Sequence, residues 1–304
     1  MMNLQGAWRS LFSLLGWHVG GFLAISGWFG MKFSWRKVLN LYGQICFYSL
    51  AGFVAWYIIE PDTFSSKAIK IDGGWFGGCY LRLMFFAPLL NAAVDYYEKQ
   101  GNEMLGRVWM ILALGVFFAW GPLRLITGVN PIGVESGSFF TLVFIYLTAR
   151  MARKFFVKPI PLKHLLVAGF LMFFAMVVFI TAAKYCSMVD MGFAKSRLAP
   201  YSYGLSLVSF LIFVWHINIP KWLGRFCLFL GPSMFAVYLI HDVTHIGRLL
   251  YIIPQKWMYE RTSIHPFFIV LISALLAFFI CLTIDLVRRL LVAGFLKSLE
   301  NISS

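Results

Sequence analysis

The stretch GPSMFAVYLIHDVTH, residues 231–245, begins with a helix-start signal, runs on as an apolar helix and ends in polar side chains. Pro232 suits a first helical turn, and the Ser233 hydroxyl is expected to cap it by accepting from an orphan backbone N–H. His241, Asp242, Thr244 and His245 crowd the far end. Ionisable groups at the end of a membrane helix are costly unless they meet water, a partner or a substrate. The stretch therefore reads as a bilayer-crossing helix whose end carries any chemistry there is.

The rest of the chain supports that reading. Of 304 residues, 61% are hydrophobic and 12% charged, and the mean hydropathy is +0.79. Soluble domains carry about twice that charged fraction. The apolar residues fall into blocks near 11–31, 39–59, 74–94, 105–127, 136–151, 163–184, 201–219, 227–250 and 266–293. Each approaches the ~20 residues that a spanning helix needs, so about nine transmembrane helices are expected. A β-barrel would show short alternating segments instead. The expected fold is all-α: a polytopic helical membrane protein, with residues 1–304 forming a single transmembrane domain.

The net charge of +14 sits mostly between the apolar blocks. There it orients helices and meets anionic headgroups, so a lipid bilayer and not nucleic acid is the expected partner. Lys and Arg in the segments around 32–37, 99–107, 150–163, 221–225 and 288–297 outnumber those in the alternate set. The bias places the C-terminus in the cytoplasm and the N-terminus outside, with His241 and His245 on the outer side. The stretch RMARKFFVKPIPLK (150–163) holds five basic residues and no acid, and reads as a cytoplasmic loop. Cys46, Cys79, Cys186, Cys227 and Cys281 show no CxxC spacing and read as small packing residues.

Few residues within the apolar blocks can do chemistry. Arg82, about two turns into the third block, reads either as an anion contact or as a side chain snorkelling to the outer surface. His241 and His245, four apart, would share a helix face and could serve as a general base, or could simply sit at the interface. No HExxH pattern supports a metal. Arg36 and Lys37 follow the first block, as a positive-inside anchor or as a contact to the phosphates of an acyl donor. Asp285 is expected to pair with Arg288 or Arg289. The glycines of the first span suit either close helix packing or a narrow tunnel wall.

Four segments together resemble the acyltransferase-3 family of polytopic membrane O-acyltransferases. VGGFLAISGWFGMKFSWRKVLNLYGQICFYSL (19–50) resembles its glycine-rich ISG helix, basic loop and following helix. WFGGCYLRLMFFAPLLN (75–91) resembles its proline-containing helix that ends in LN. SGSFFTLVFIYLTARMARK (136–154) resembles its YL-x-x-R helix, and GPSMFAVYLIHD (231–242) its SFGVYLIH helix. The resemblance implies transfer of an acyl group, usually acetyl, from acyl-CoA (acetyl-CoA) to a hydroxyl of a cell-surface polysaccharide or lipid-linked glycan. It implies ten helices, no metal, a place in the inner (cytoplasmic) membrane and a glycan acceptor as partner. His241 matches the YLIH histidine, and Arg36 and Lys37 match the basic loop.

The family pattern places a helix with an arginine and a catalytic histidine before the ISG helix. Only MMNLQGAWRSLFSLLG precedes the matched region, so this chain is expected to lack that helix. His18 adjoins the ISG helix and does not take that histidine's place. The site expected from these residues has His241 or His245 as base, Arg82 at the oxyanion or a phosphate, and Arg36 and Lys37 on the donor phosphates. Two other readings differ in class: a non-catalytic family member acting as a binding or scaffold protein, and a small transporter. The transporter reading lacks a repeated half or paired broken helices in the sequence.

Overall fold

The computed structural model describes residues 18–59, 61–63, 73–101, 103–127, 138–156, 158–185, 191–244, 247, 250, 256–258, 260 and 264–303. Among them every regular element is helical. The α-helices are α1 (His18–Phe29), α2 (Trp35–Ile59), α3 (Gly74–Lys99), α4 (Glu103–Thr127), α5 (Phe139–Phe155), α6 (Leu162–Tyr185), α7 (Met191–His216), α8 (Lys221–Leu230), α9 (Met234–Tyr238) and α10 (Pro266–Ser303). A 3-10 turn at Gly231–Ser233 joins α8 to α9, and a π-turn at Leu239–Val243 follows. The segments Trp35–Ile59, Gly74–Lys99, Lys221–His241 and Phe268–Gly294 are long and apolar enough to cross a membrane. Leu89, Ile58, Leu228 and Leu290 each leave more than two thirds of their surface outside the protein. Water would penalise that surface and lipid does not. The chain is a multi-pass helical membrane protein.

The chain divides into two compact units. One gathers the described residues of 18–38 and 75–218, the other those of 39–74 and 219–303. In the first, α1 packs against α5 and α7, α4 against α5 and α7, and α6 against α7. Glycines set the closest approaches, as small residues do between membrane helices. Gly27 of α1 lies against the Tyr146 backbone of α5, and Gly20 against Ser206 of α7. Gly30 then ends α1 with φ +72°, a left-handed conformation that glycine adopts without strain. In the second unit, α9 and its flanking turns pack against α10. Gly52 of α2 meets the Thr244 side chain just past the π-turn.

Several details depart from the sequence reading. Gly231 keeps helical dihedrals (φ −48°, ψ −47°), so the expected helix start at 231–233 is a 3-10 joint inside a continuous rod that begins at Lys221. Ser233 makes no cap; its hydroxyl accepts from Arg289 Nη1 of α10 at 3.3 Å. With its N–H groups already bonded along the rod, there was no orphan donor to cap. α7 begins at Met191, ten residues before the expected start of that span. The 150–163 stretch is not one loop: Arg150, Arg153 and Lys154 lie in the last turns of α5, and Lys163 lies in the first turn of α6.

Candidate active site

The rod from Lys221 to Val243 carries His241 at its π-turned end. Thr244 N–H bonds back to Leu239 O at 3.2 Å, the five-residue reach of a π-turn, and Thr244 then turns extended (φ −91°, ψ 154°). That turn ends the regular helical register at Thr244, one residue before His245. His245 itself lies outside the described residues.

His241 is exposed, and its ring stands edge-on to Tyr238 at 6.3 Å. Its Nδ1 lies 2.7 Å from Val237 O. A carbonyl oxygen only accepts, so Nδ1 carries the proton. In the neutral ring, Nε2 is then left with a free lone pair, the state a general base requires. The bond also fixes the ring's direction.

Behind this rod, α10 carries a charge cluster. Asp285 is fully buried. Its Oδ1 accepts from Tyr48 Oη of α2 at 2.6 Å and from Arg288 Nε at 2.9 Å, and Arg288 Nη2 lies 2.8 Å from it. The Arg288 guanidinium also lies over the Tyr48 ring, 5.6 Å from its centroid. The expected pairing of Asp285 with Arg288 is present, and the sequence reading missed Tyr48. One residue on, Arg289 donates to Ser233, tying the histidine-bearing rod to α10. A carboxylate in a membrane helix needs this kind of compensation.

The other unit has its own polar centre, where α1, α3 and α5 end together. Tyr146 is fully buried, and its hydroxyl accepts from Met31 N–H at 3.0 Å and donates to Asn91 Oδ1 at 2.7 Å. Asn91 Nδ2 donates to Met31 O at 2.9 Å, closing a ring of bonds that satisfies the backbone released at Gly30. One turn on, Arg150 pairs with Asp95 at 2.9 Å, and a turn further Lys154 pairs with Glu98 at 2.7 Å. Arg153 donates to Trp28 O at 2.7 Å and covers the Phe29 ring, capping α1 with a cation at its negative end. Ser26 bonds Tyr80 at 2.9 Å on the same α1–α3 seam.

Replacing Tyr146 with phenylalanine strands the Met31 N–H and the Asn91 carbonyl. The expected cost is about 1–3 kcal/mol, read as a fall in the unfolding temperature of the purified protein. An unchanged unfolding temperature would mean that the ring of bonds does not hold α1 in place.

Arg36 and Lys37 lie exposed on the first turn of α2, just beyond this centre, with Lys32 beside them. Arg82 is exposed on α3, nine residues before Asn91, about 13 Å of helix rise away. Trp35, which precedes Arg36, packs on Phe85 of α3 with ring centroids 5.7 Å apart, three residues from Arg82 and six from Asn91. His241 belongs to the other unit. The acids Asp95, Glu98 and Glu103 are engaged by Arg150, Lys154 and Arg107. Lys32, Arg36, Lys37, Lys158 and Lys163 have no acidic partner among the described residues. Among the described residues, this end of the unit therefore presents positive charge without an acidic partner.

The sequence reading missed Asn91, Asp95, Tyr146 and Arg150 as a set. A signal existed: Asn91, Asp95 and Glu98 repeat at helical spacing on α3, and Tyr146, Arg150 and Lys154 do so on α5. No family profile matches the chain, and no catalogued protein or solved structure is detectably similar to it.

Proposed function

We propose that the protein is a membrane O-acyltransferase that moves an acyl group, with acetyl as the first choice, from acyl-CoA to a hydroxyl of a surface polysaccharide or lipid-linked glycan. The observation that carries the reading is where its signature residues meet. Asn91, Tyr146 and Arg150 come from two separate segments that resemble the acyltransferase-3 pattern. They converge on Gly30 and Met31, directly after the ISG helix of a third. Residues that resemble one family's scattered motifs thus form one bonded structure.

In this reading the chain crosses the inner membrane about nine times, with helices α1 to α7, the Lys221–Val243 rod and α10 as the spans. The C-terminus is cytoplasmic. Arg36 and Lys37 meet the donor phosphates, since they are exposed and have no acidic partner among the described residues. His241 takes the acceptor proton at Nε2 while Val237 O holds the ring. Arg82 faces the oxyanion in this reading, and His245 is the alternative base. The hydroxyl oxygen attacks the thioester carbonyl, the C–S bond breaks, and the proton passes to the coenzyme A thiolate.

Coenzyme A binding tests the donor site. Replacing both Arg36 and Lys37 with alanine should weaken binding about tenfold or more, because charge-assisted bonds to phosphate are lost. Binding by the native protein should also fall as salt rises. Equal affinity of native and doubly substituted protein would remove these two residues from the donor site.

A further inference from the structure

We infer that the unit of 39–74 and 219–303 holds a buried water molecule at the second oxygen of Asp285, inside the membrane-spanning part of α10. Asp285 is lopsided. Oδ1 receives Tyr48 and Arg288, whereas Oδ2 is buried and has no donor among the described residues. Gln44 lies one turn before Tyr48 on α2, so it shares the helix face that reaches Asp285. Its Oε1 is likewise buried and without a donor. Two buried carbonyl-type acceptors, one on α10 and one on the Tyr48 face of α2, call for O–H or N–H donors, since leaving each one bare costs about 1–3 kcal/mol.

Charge decides what supplies them. Asp285 and Arg288 neutralise each other, so a cation would meet the guanidinium and an anion the carboxylate. The occupant is a neutral donor. The complete burial of Asp285 favours the smallest one, and water with two O–H groups is the usual solution for buried unsatisfied acceptors. The site would put a hydrated step within the apolar stretch Phe268–Gly294. It stands independently of the acyl-transfer reading.

Radiolytic hydroxyl-radical labelling of the intact protein in lipid nanodiscs tests this, because bound water generates radicals where bulk water does not reach. Tyr48 is 2% exposed and Tyr146 is 0% exposed, so bulk radicals should spare both. Tyr48, beside the proposed water, should be labelled several-fold more than Tyr146, whose hydroxyl has both protein partners. In a protein carrying both Asp285→Leu and Arg288→Met, labelling of Tyr48 should drop to the Tyr146 level. Equal protection of the two tyrosines in the native protein would overturn the inference. So would undiminished Tyr48 labelling in the double variant.

Discussion

Replacing Arg288 with alanine is expected to destabilise the protein by about 3–5 kcal/mol, because it leaves the Asp285 carboxylate charged, buried and without its cation. Asp285 has no exposed surface, and the Arg288 side chain is 12% exposed, so solvent screens the pair little. Tyr48 alone cannot compensate a full charge with one hydrogen bond. The double variant Asp285→Leu with Arg288→Met should recover most of the loss, since it removes both charges and keeps comparable volume. Thermal unfolding in a single detergent, followed by circular dichroism, compares the three proteins. A double variant as unstable as the single one would mean that α10 needs the pair for its packing and not for charge balance.

Alanine at Gly27 should be the second severe substitution. Its Cβ would collide with the carbonyl oxygen of Tyr146 and lie 2.9 Å from its carbonyl carbon. Both are backbone atoms that no rotamer change can move, so α1 and α5 must separate. Overpacking of this kind costs about 1–3 kcal/mol and sometimes more. Separation would also pull Met31 away from Tyr146 and Asn91, so the loss should exceed that of Tyr146→Phe alone. Gly21→Ala supplies the comparison: its Cβ would have nothing within 4 Å, and it should behave as native. The yield of monodisperse protein and its unfolding temperature would separate the two variants. Similar behaviour of both would contradict the close packing of α1 on α5.

Hydropathy revealed the helices because each span carries its own apolar signal, independent of its neighbours. The Asp285–Arg288 pair was legible for the same reason, since its partners are three residues apart on one helix. Tyr48 was not legible as the third member, because it stands 237 residues from Asp285 and nothing local marks it. Arg150 was misread through its neighbours. Flanked by Arg153 and Lys154, it counted as loop charge, yet α5 carries it inward to Asp95, leaving it 9% exposed. His241 was recognisable from the apolar run before it. A four-residue spacing such as His241 to His245 assumes a regular helix, and nothing in the sequence marks the π-turn at Leu239–Val243. Ser233 shows the same limit, since a cap can be read from sequence only when the helix does start there.

The central claim is acyl transfer, and it can be measured directly. Membranes containing the full chain would be given acetyl-CoA labelled in the acetyl group, together with a surface polysaccharide bearing free hydroxyls. The account predicts label in the glycan, lowered about 100-fold or more by His241→Ala through loss of the general base. No label from the native chain, under conditions where a ten-helix acyltransferase of the resembled family labels the same glycan, would contradict it.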